Sequence, residues 1–234
     1  MLIDFHSHIL PGIDDGSASL EESIGMLQME ARQGVTHVVA TPHFYAQYDD
    51  PEHFLDRRVA AAAALQTEMA NYEGLPQVSL GAEVYYFQGI SDCQHLSRLT
   101  MGAGNGILIE LPLAPWPESV YRELQGIWEK QRLIPVIAHI DRYIRPFQTF
   151  QIPKRLAMLP VLVQANASFF YERATAKMAM RMLRAEQIQL IGSDCHGSNF
   201  RKPDMEDAVA QILRTVGQEG IERIRSFERS VLKL

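Results

Sequence analysis

The sequence predicts an α/β fold of parallel strands followed by helices, either a barrel or an open doubly wound sheet. Three observations predict it. Short apolar segments of the buried-strand kind recur along the chain, helical patterns separate several of them, and a polar residue closes nearly every one. A chain of 234 residues that is 47% hydrophobic and 21% charged can build one sizeable core, so a single domain spanning 1–234 is expected.

Taken in order, Leu2–Phe5 is a short first strand that runs into a Gly/Asp-rich loop. A helix follows, with Ser19 as N-cap and Glu22 three positions later, the pattern of a capping box. Leu20, Ile24, Leu27 and Ala31 recur at helical spacing, and Gly34 suits the stop. Thr36–Ala40 reads as the second strand, ending in Thr-Pro-His. The Ala-rich stretch from Pro51 to Met69 is a helix by propensity. Val78–Ala82, Ile107–Ile109, Pro135–Ala138, Val161–Gln164 and Gln189–Gly192 are further strands, with helices near Ser119–Gln131, Thr175–Glu186 and Asp204–Val216. Together these make about seven βα-like units.

Charge and composition exclude some functions. The formal net charge is −6 without any basic run, which argues against a general nucleic-acid binder. No apolar stretch approaches the ~20 residues needed to span a bilayer. The opening Met-Leu-Ile-Asp-Phe-His lacks the charged and apolar regions of a signal peptide, and only Cys93 and Cys195 are present, so a reducing cytoplasm is the expected location.

His6 and His8 follow the first strand and His43 the second; Glu83, Glu110 and His139 close the next three, and Asp194 and His196 follow the last. In a parallel α/β barrel the strand C-termini converge on one face, where the site lies. Asp15, in the first loop, can reach the same mouth. A single histidine after a strand is more often a hydrogen-bonded loop residue, and a lone strand-end glutamate is often a solvated charge. A whole set of metal-capable strand ends is harder to explain that way. Asp15, Glu83, Glu110 and Asp194 crowded together also require compensating cations. Imidazole and carboxylate ligands without thiolate point to manganese, zinc or iron.

Ile-Asp-Phe-His-Ser-His-Ile-Leu-Pro-Gly-Ile-Asp-Asp-Gly at 3–16 resembles the opening of the PHP (polymerase and histidinol phosphatase) superfamily. More closely, the chain resembles the bacterial manganese-dependent protein-tyrosine phosphatases of capsule and exopolysaccharide synthesis. Ala40-Thr-Pro-His43, Gly81-Ala-Glu-Val-Tyr-Tyr86, Leu108-Ile-Glu-Leu111, Val136-Ile-Ala-His-Ile-Asp-Arg-Tyr143, Gln164-Ala-Asn166 and Ser193-Asp-Cys-His196 carry the likeness in the same order. It implies a distorted (β/α)7, TIM-like barrel with three divalent metal ions, manganese foremost. By motif the ligands would be His6, His8, Asp15, His43, Glu83, Glu110, His139, Asp194 and His196. Arg142 matches an arginine near the substrate phosphate. Where relatives carry Arg-Pro after the final histidine this chain has Lys202-Pro203, with Arg201 one place earlier, so either Arg201 or Lys202 would take that role. The implied substrate is a phosphotyrosine protein, a bacterial tyrosine autokinase, attacked by a metal-activated hydroxide.

A rival lies in Cys195-His-Gly-Ser-Asn-Phe-Arg201, which fits the C-x5-R spacing of cysteine-dependent phosphatases. It has one glycine, no helix starting at once, and leaves the strand-end ligands unexplained. Histidinol phosphate or a nucleotide are alternative substrates within the superfamily, and a non-enzymatic interaction module is the reading from another class; against the last, no motif ligand is missing. Trp116 reads equally as a substrate-side rim or a buried loop anchor, and the Phe44–Asp50 loop, with Tyr45 and Tyr48, as a lining of the mouth.

Overall fold

The computed structural model describes residues 1–147 and 151–233. In chain order the elements are β1 (Ile3–Ser7), α1 (Leu20–Arg32), β2 (His37–Ala40), β3 (His43–Phe44), α2 (Pro51–Met69), β4 (Gln77–Leu80) and β5 (Glu83–Tyr85). Then come β6 (Gly106–Glu110), α3 (Glu118–Gly126), β7 (Ile134–Ile137), α4 (Ile140–Phe147), α5 (Gln151–Leu156) and β8 (Leu162–Asn166). The chain finishes with α6 (Ser168–Tyr171), α7 (Ala176–Arg184), β9 (Leu190–Gly192), α8 (Met205–Thr215) and α9 (Gln218–Leu232).

Every strand pairing is parallel: β1-β2-β4 form one ladder and β3-β5-β6-β7-β8-β9 the other. The break between them falls at Thr41-Pro42 and Gly81-Ala82. Backbone bonds bridge it, from Gly81 N–H to Ala40 O at 2.8 Å and from Glu83 N–H to Pro42 O at 3.0 Å. At the other margin Asp194 N–H donates to His6 O at 2.8 Å and His8 N–H to Cys195 O at 2.9 Å. The sheet is therefore curled enough to bring the end of β9 beside β1.

Side-chain alternation explains why the strands read as continuous apolar runs. Ile3, Phe5, Val39, Leu108, Val136 and Leu190 face inward in one buried cluster, while Val38, Ile107, Ile109, Ile137 and Ile191 pack outward under the helices. Val231 and Leu232, at the end of α9, join the inner cluster. Gly104 allows this approach, because a Cβ there would lie 1.6 Å from Val231 O.

Helix α1 is capped as expected. Glu22 N–H donates to Ser19 Oγ at 3.2 Å, although the returning Glu22 carboxylate takes the Ala18 N–H at 2.9 Å. Between β5 and β6 the regular βα alternation fails: two short 3₁₀ turns, Ile90–Asp92 and Leu96–Arg98, replace a helix. Trp116 is a buried anchor, its ring edge-on to Tyr143 at 5.0 Å and its Nε1–H donated to Pro112 O at 3.0 Å.

Candidate metal centre

The strand ends place the expected residues together. Glu83, 1% exposed at the start of β5, is the hub. Its Oε2 lies 3.1 Å from His6 Nε2, 3.2 Å from His8 Nε2 and 3.1 Å from His43 Nδ1. Its Oε1 meets His139 Nε2 at 2.9 Å, and the same nitrogen is 3.6 Å from Glu110 Oε1. Asp194 Oδ1 stands 3.6 Å from both His6 Nε2 and His8 Nε2. Asp15 Oδ1 lies 3.5 Å from His43 Nε2 and from His196 Nε2. All nine residues expected as ligands thus adjoin one site.

Local backbone makes this approach possible. Gly192 lets β1 come close, since a Cβ there would lie 2.5 Å from His6 Cβ. His139, Asp194 and Arg201 have φ of 31°, 54° and 48°, in the left-handed region that costs non-glycine residues energy. Strained backbone of this kind concentrates at functional sites.

The electrostatics test whether cations fit. Burial opposes charge on His8, but the Asp14 and Glu83 carboxylates outweigh it and carry its pKa up to about 10. Burial likewise opposes a charged His6, and Glu83 and Asp194 raise it. Glu83 would be raised by burial, yet His6, His139 and His8 hold it well below the carboxylate range. His196 falls to about 4 through burial and the neighbouring His8 charge, and burial lowers His43, so both keep lone pairs available. Glu83 Oε2 is buried among three imidazole nitrogens and accepts no well-formed hydrogen bond. Imidazole lone pairs and carboxylate oxygens converging in this way suit divalent cations. The ligand atoms form three overlapping groups, each within 4.8 Å: His6, His8, Glu83 and Asp194; His8, Asp15, His43 and His196; His43, Glu83 and Glu110.

Residues that orient these side chains were not singled out by sequence. Asp14 Oδ2 meets His8 Nδ1 at 2.7 Å and accepts the His43 N–H at 2.9 Å; its Oδ1 accepts Gly16 N–H at 3.0 Å. The adjacent Asp14-Asp15 pair was visible, but nothing in the sequence says which carboxylate turns inward. Gln164 Oε1 accepts the His139 N–H at 2.6 Å and lies 3.3 Å from His6 Nδ1. Asn166 Nδ2 donates to Asp194 Oδ2 at 3.1 Å. Both belong to the Gln164-Ala-Asn166 motif, whose sequence alone gives no role for either side chain.

The cations divide unequally. Arg142 hydrogen-bonds Asp194 Oδ2, and Arg201 Nη2 lies 2.6 Å from the same oxygen. Lys202 is exposed and has no ion pair with the cluster among the described residues. Of the two alternatives, Arg201 is thus the one that adjoins the cluster. The cysteine-nucleophile alternative fails on burial. Cys195 is 0% exposed, and burial with Asp4 and Glu30 nearby pushes its thiol well above the usual range, opposite to what a thiolate nucleophile needs. Its Sγ does adjoin Asp4 and Glu30. Burial raises both carboxyl groups as well, so that trio is driven toward its neutral form without a cation.

Fold and site define a class: a curled parallel α/β protein whose strand ends gather a histidine–carboxylate cluster suited to divalent metal. Within that class the chain belongs to the family described as capsular polysaccharide synthesis, CpsB/CapC, whose model matches residues 2–231. It is 28% identical over 226 residues to the tyrosine-protein phosphatase YwqE of Bacillus subtilis (strain 168), covering 93% of this chain and 86% of that protein. To the tyrosine-protein phosphatase CpsB of Streptococcus agalactiae serotype V it is 26% identical over 228 residues, 93% of this chain and 92% of CpsB. A crystal structure from work on YwqE and on CpsB of Streptococcus pneumoniae, described as metal-dependent tyrosine phosphatases, shares the fold. Its TM-score is 0.88 at 23% identity, over 99% of this chain and 94% of that one.

Proposed function

We propose that this chain is a protein-tyrosine phosphatase, a phosphoric monoester hydrolase that acts on phosphotyrosine with the help of divalent metal ions. The observation that carries the reading is the buried Glu83 carboxylate ringed by His6, His8 and His43 nitrogens at 3.1–3.2 Å. Three ions fit the donor set. His6, His8, Glu83 and Asp194 would hold one, Asp15, His43 and His196 a second, and Glu83, Glu110 and His139 a third. The imidazole and carboxylate ligands suit manganese, zinc or iron, and the resemblance to manganese-dependent phosphatases puts manganese first. Such ions supply a hydroxide at neutral pH and Lewis-acid stabilisation of phosphoryl oxygens.

The protein's own groups do the rest. Asp14 holds the His8 Nδ1 proton, which leaves Nε2 for coordination. Gln164 fixes the His139 backbone and adjoins His6. Once Asp194 ligates, Arg142 and Arg201 can turn their planar donors to the phosphoryl oxygens; Lys202 is placed to do neither.

The nine strand segments can be counted as seven wall positions if β2 with β3, and β4 with β5, are each one broken strand. That count supports a distorted (β/α)7 barrel of the PHP type. The family supports a link to capsule or exopolysaccharide synthesis; a tyrosine autokinase would then be the phosphoprotein substrate. Among the described residues no helix is long and apolar enough to cross a membrane.

The test is hydrolysis of a phosphotyrosine peptide before chelation, after chelation and after Mn²⁺ is restored. Loss followed by recovery is expected. Unchanged turnover in metal-stripped protein refutes the reading, and metal-dependent hydrolysis of histidinol phosphate alone moves it to a small-molecule phosphatase.

A further inference from the structure

Beside the metal cluster lies a 380 Å³ cavity lined by His43 and the exposed Asp15 together with Ile13, Tyr45, Asp49 and Arg57. We propose that this cavity is the subsite for the aromatic ring of the phosphomonoester and that Tyr45 is its stacking wall. The inference rests on the phosphatase reading above and adds a residue that selects aryl over alkyl esters.

Several charged groups of the cavity are already engaged, and Asp15 Oδ1 lies 3.5 Å from His43 Nε2. Arg57 Nη2 donates to Asp49 Oδ1 at 2.9 Å and Nη1 to Ile13 O at 3.2 Å. Asp14, on the same wall, is taken up by His8 and the His43 backbone. Besides the Asp15 carboxylate and the Arg57 Nε–H, which has no protein partner, what remains for a ligand is flat: the half-buried Tyr45 ring, the Ile13 side chain and the guanidinium face of Arg57, two of whose donors are engaged. An aromatic ring matches all three surfaces, by stacking, burial and cation–π contact.

Position supports the same occupant. The Tyr45 ring stands 5.3 Å from the His43 ring and 5.6 Å from the Tyr85 ring. An aromatic row therefore runs outward from a proposed metal ligand. A phosphomonoester bound at the cluster would have that row beside it. The 380 Å³ is also within the range of small-ligand pockets, about 300–1,000 Å³. An alkyl ester has no π face to present there.

The experiment compares kcat/KM for phenyl phosphate and ethyl phosphate in the Mn²⁺-loaded wild type, Tyr45→Ala and Tyr45→Phe proteins, with bound manganese measured in each. The ratio between the two substrates removes any general damage to the metal site, and the intrinsic reactivity difference of the esters cancels between variants. Tyr45→Ala should lower the aryl/alkyl ratio about two- to twelve-fold, the increment of an aromatic pair, and mainly through KM. Tyr45→Phe should hold the wild-type ratio, because the ring and not the hydroxyl does the sorting. Inhibition by phenylphosphonate relative to methylphosphonate should weaken in parallel in Tyr45→Ala. An unmoved ratio in Tyr45→Ala, with manganese content and wild-type phosphatase activity intact, overturns the subsite and leaves the phosphatase standing. If the metal-loaded wild type hydrolyses neither ester nor a phosphotyrosine peptide, both readings fall together.

Discussion

Replacing Asp14 by alanine removes no proposed metal ligand, yet it should weaken metal binding about thirty-fold. The Asp14 carboxylate touches three groups: His8 Nδ1 at 2.7 Å, the His43 N–H at 2.9 Å and the Gly16 N–H at 3.0 Å. The first of these is charge-assisted: Asp14 falls to about 2, because His8 and the two backbone donors outweigh its burial. Hydrogen bonds to charged groups contribute about 1.5–3 kcal/mol net. Loss of a carboxylate behind a ligating histidine typically costs about ten- to a hundredfold in metal affinity, or roughly 1.4–2.7 kcal/mol. The two ranges overlap near 2 kcal/mol, which corresponds to about thirty-fold. Asp14→Asn keeps an acceptor for His8 but loses the charge, and should cost about three- to tenfold. Competition against a chromophoric chelator gives the Mn²⁺ affinity and stoichiometry of each variant, and thermal unfolding of the stripped proteins reports any general damage. Wild-type affinity in Asp14→Ala would refute the argument that this carboxylate sets the His8 tautomer.

Other expectations follow from the same geometry. Arg201→Ala should lower kcat/KM for a phosphotyrosine peptide by about a hundredfold, as for removal of one preorganised transition-state donor, while Lys202→Ala should stay within about twofold; steady-state kinetics with equal metal content decides, and equal losses would show the loop placed wrongly. Cys195→Ser should retain metal-dependent turnover within a few-fold while losing about 1–3 kcal/mol of stability, because it buries a hydroxyl in a site that is 0% exposed. Abolished activity with metals still bound would restore the thiol mechanism. Glu228 is 1% exposed, and its pKa is pushed up to about 8 by burial, which outweighs Arg225. Between the unfolded carboxyl value of about 4.3 and about 8, the folded state keeps a proton that the unfolded chain has lost, so this group's effect on stability worsens as pH rises through that window. Glu228→Gln should therefore flatten the decline between those pH values and raise stability at pH 8 by about 1–3 kcal/mol; denaturant melts at pH 5 and pH 8 that differ as much in the variant as in wild type would contradict it.

The fold was legible where hydrophobic period and local chemistry agree. The strands near residues 37, 78, 107, 135, 162 and 190 all formed, because each is a buried apolar run too short for a helix. Helix α1 was marked by Ser19 and Glu22, and α2 by alanine propensity and Pro51 at its first turn. Three features were less readable. Thr41-Pro42 and Gly81-Ala82 break two strands, since proline offers no ladder donor and glycine weakens pairing. The segment between β5 and β6 turns in 3₁₀ pieces pinned by Glu123, which accepts the Gly89 and Ser91 N–H groups at 3.0 Å from a distant helix. Helix α9 lay beyond the expected elements, because its apolar positions alternate with charges and its importance comes from Val231 and Leu232 entering the inner core.

The site shows why a set of residues was readable when its supports were not. A histidine or carboxylate at a strand end announces its chemistry in the sequence, and a parallel sheet brings strand ends together without further information. An orienting residue announces nothing, because the partners of Asp14, Gln164 and Asn166 depend on which way each side chain turns in the folded site. The set is also more demanding than its members. His139 and Glu83 satisfy each other at 2.9 Å, and His8 is satisfied by Asp14 at 2.7 Å. Glu83 Oε2 still has three imidazole nitrogens within 3.2 Å and no well-formed hydrogen bond. Proton transfer to Glu83 would relieve only one of those contacts, because His6 Nε2 and His8 Nε2 also face each other at 3.2 Å. A divalent cation held by His6, His8 and Glu83 would satisfy both nitrogens and the carboxylate at once. That is why metal affinity, more than any single hydrogen bond, should govern whether this mouth is ordered for catalysis.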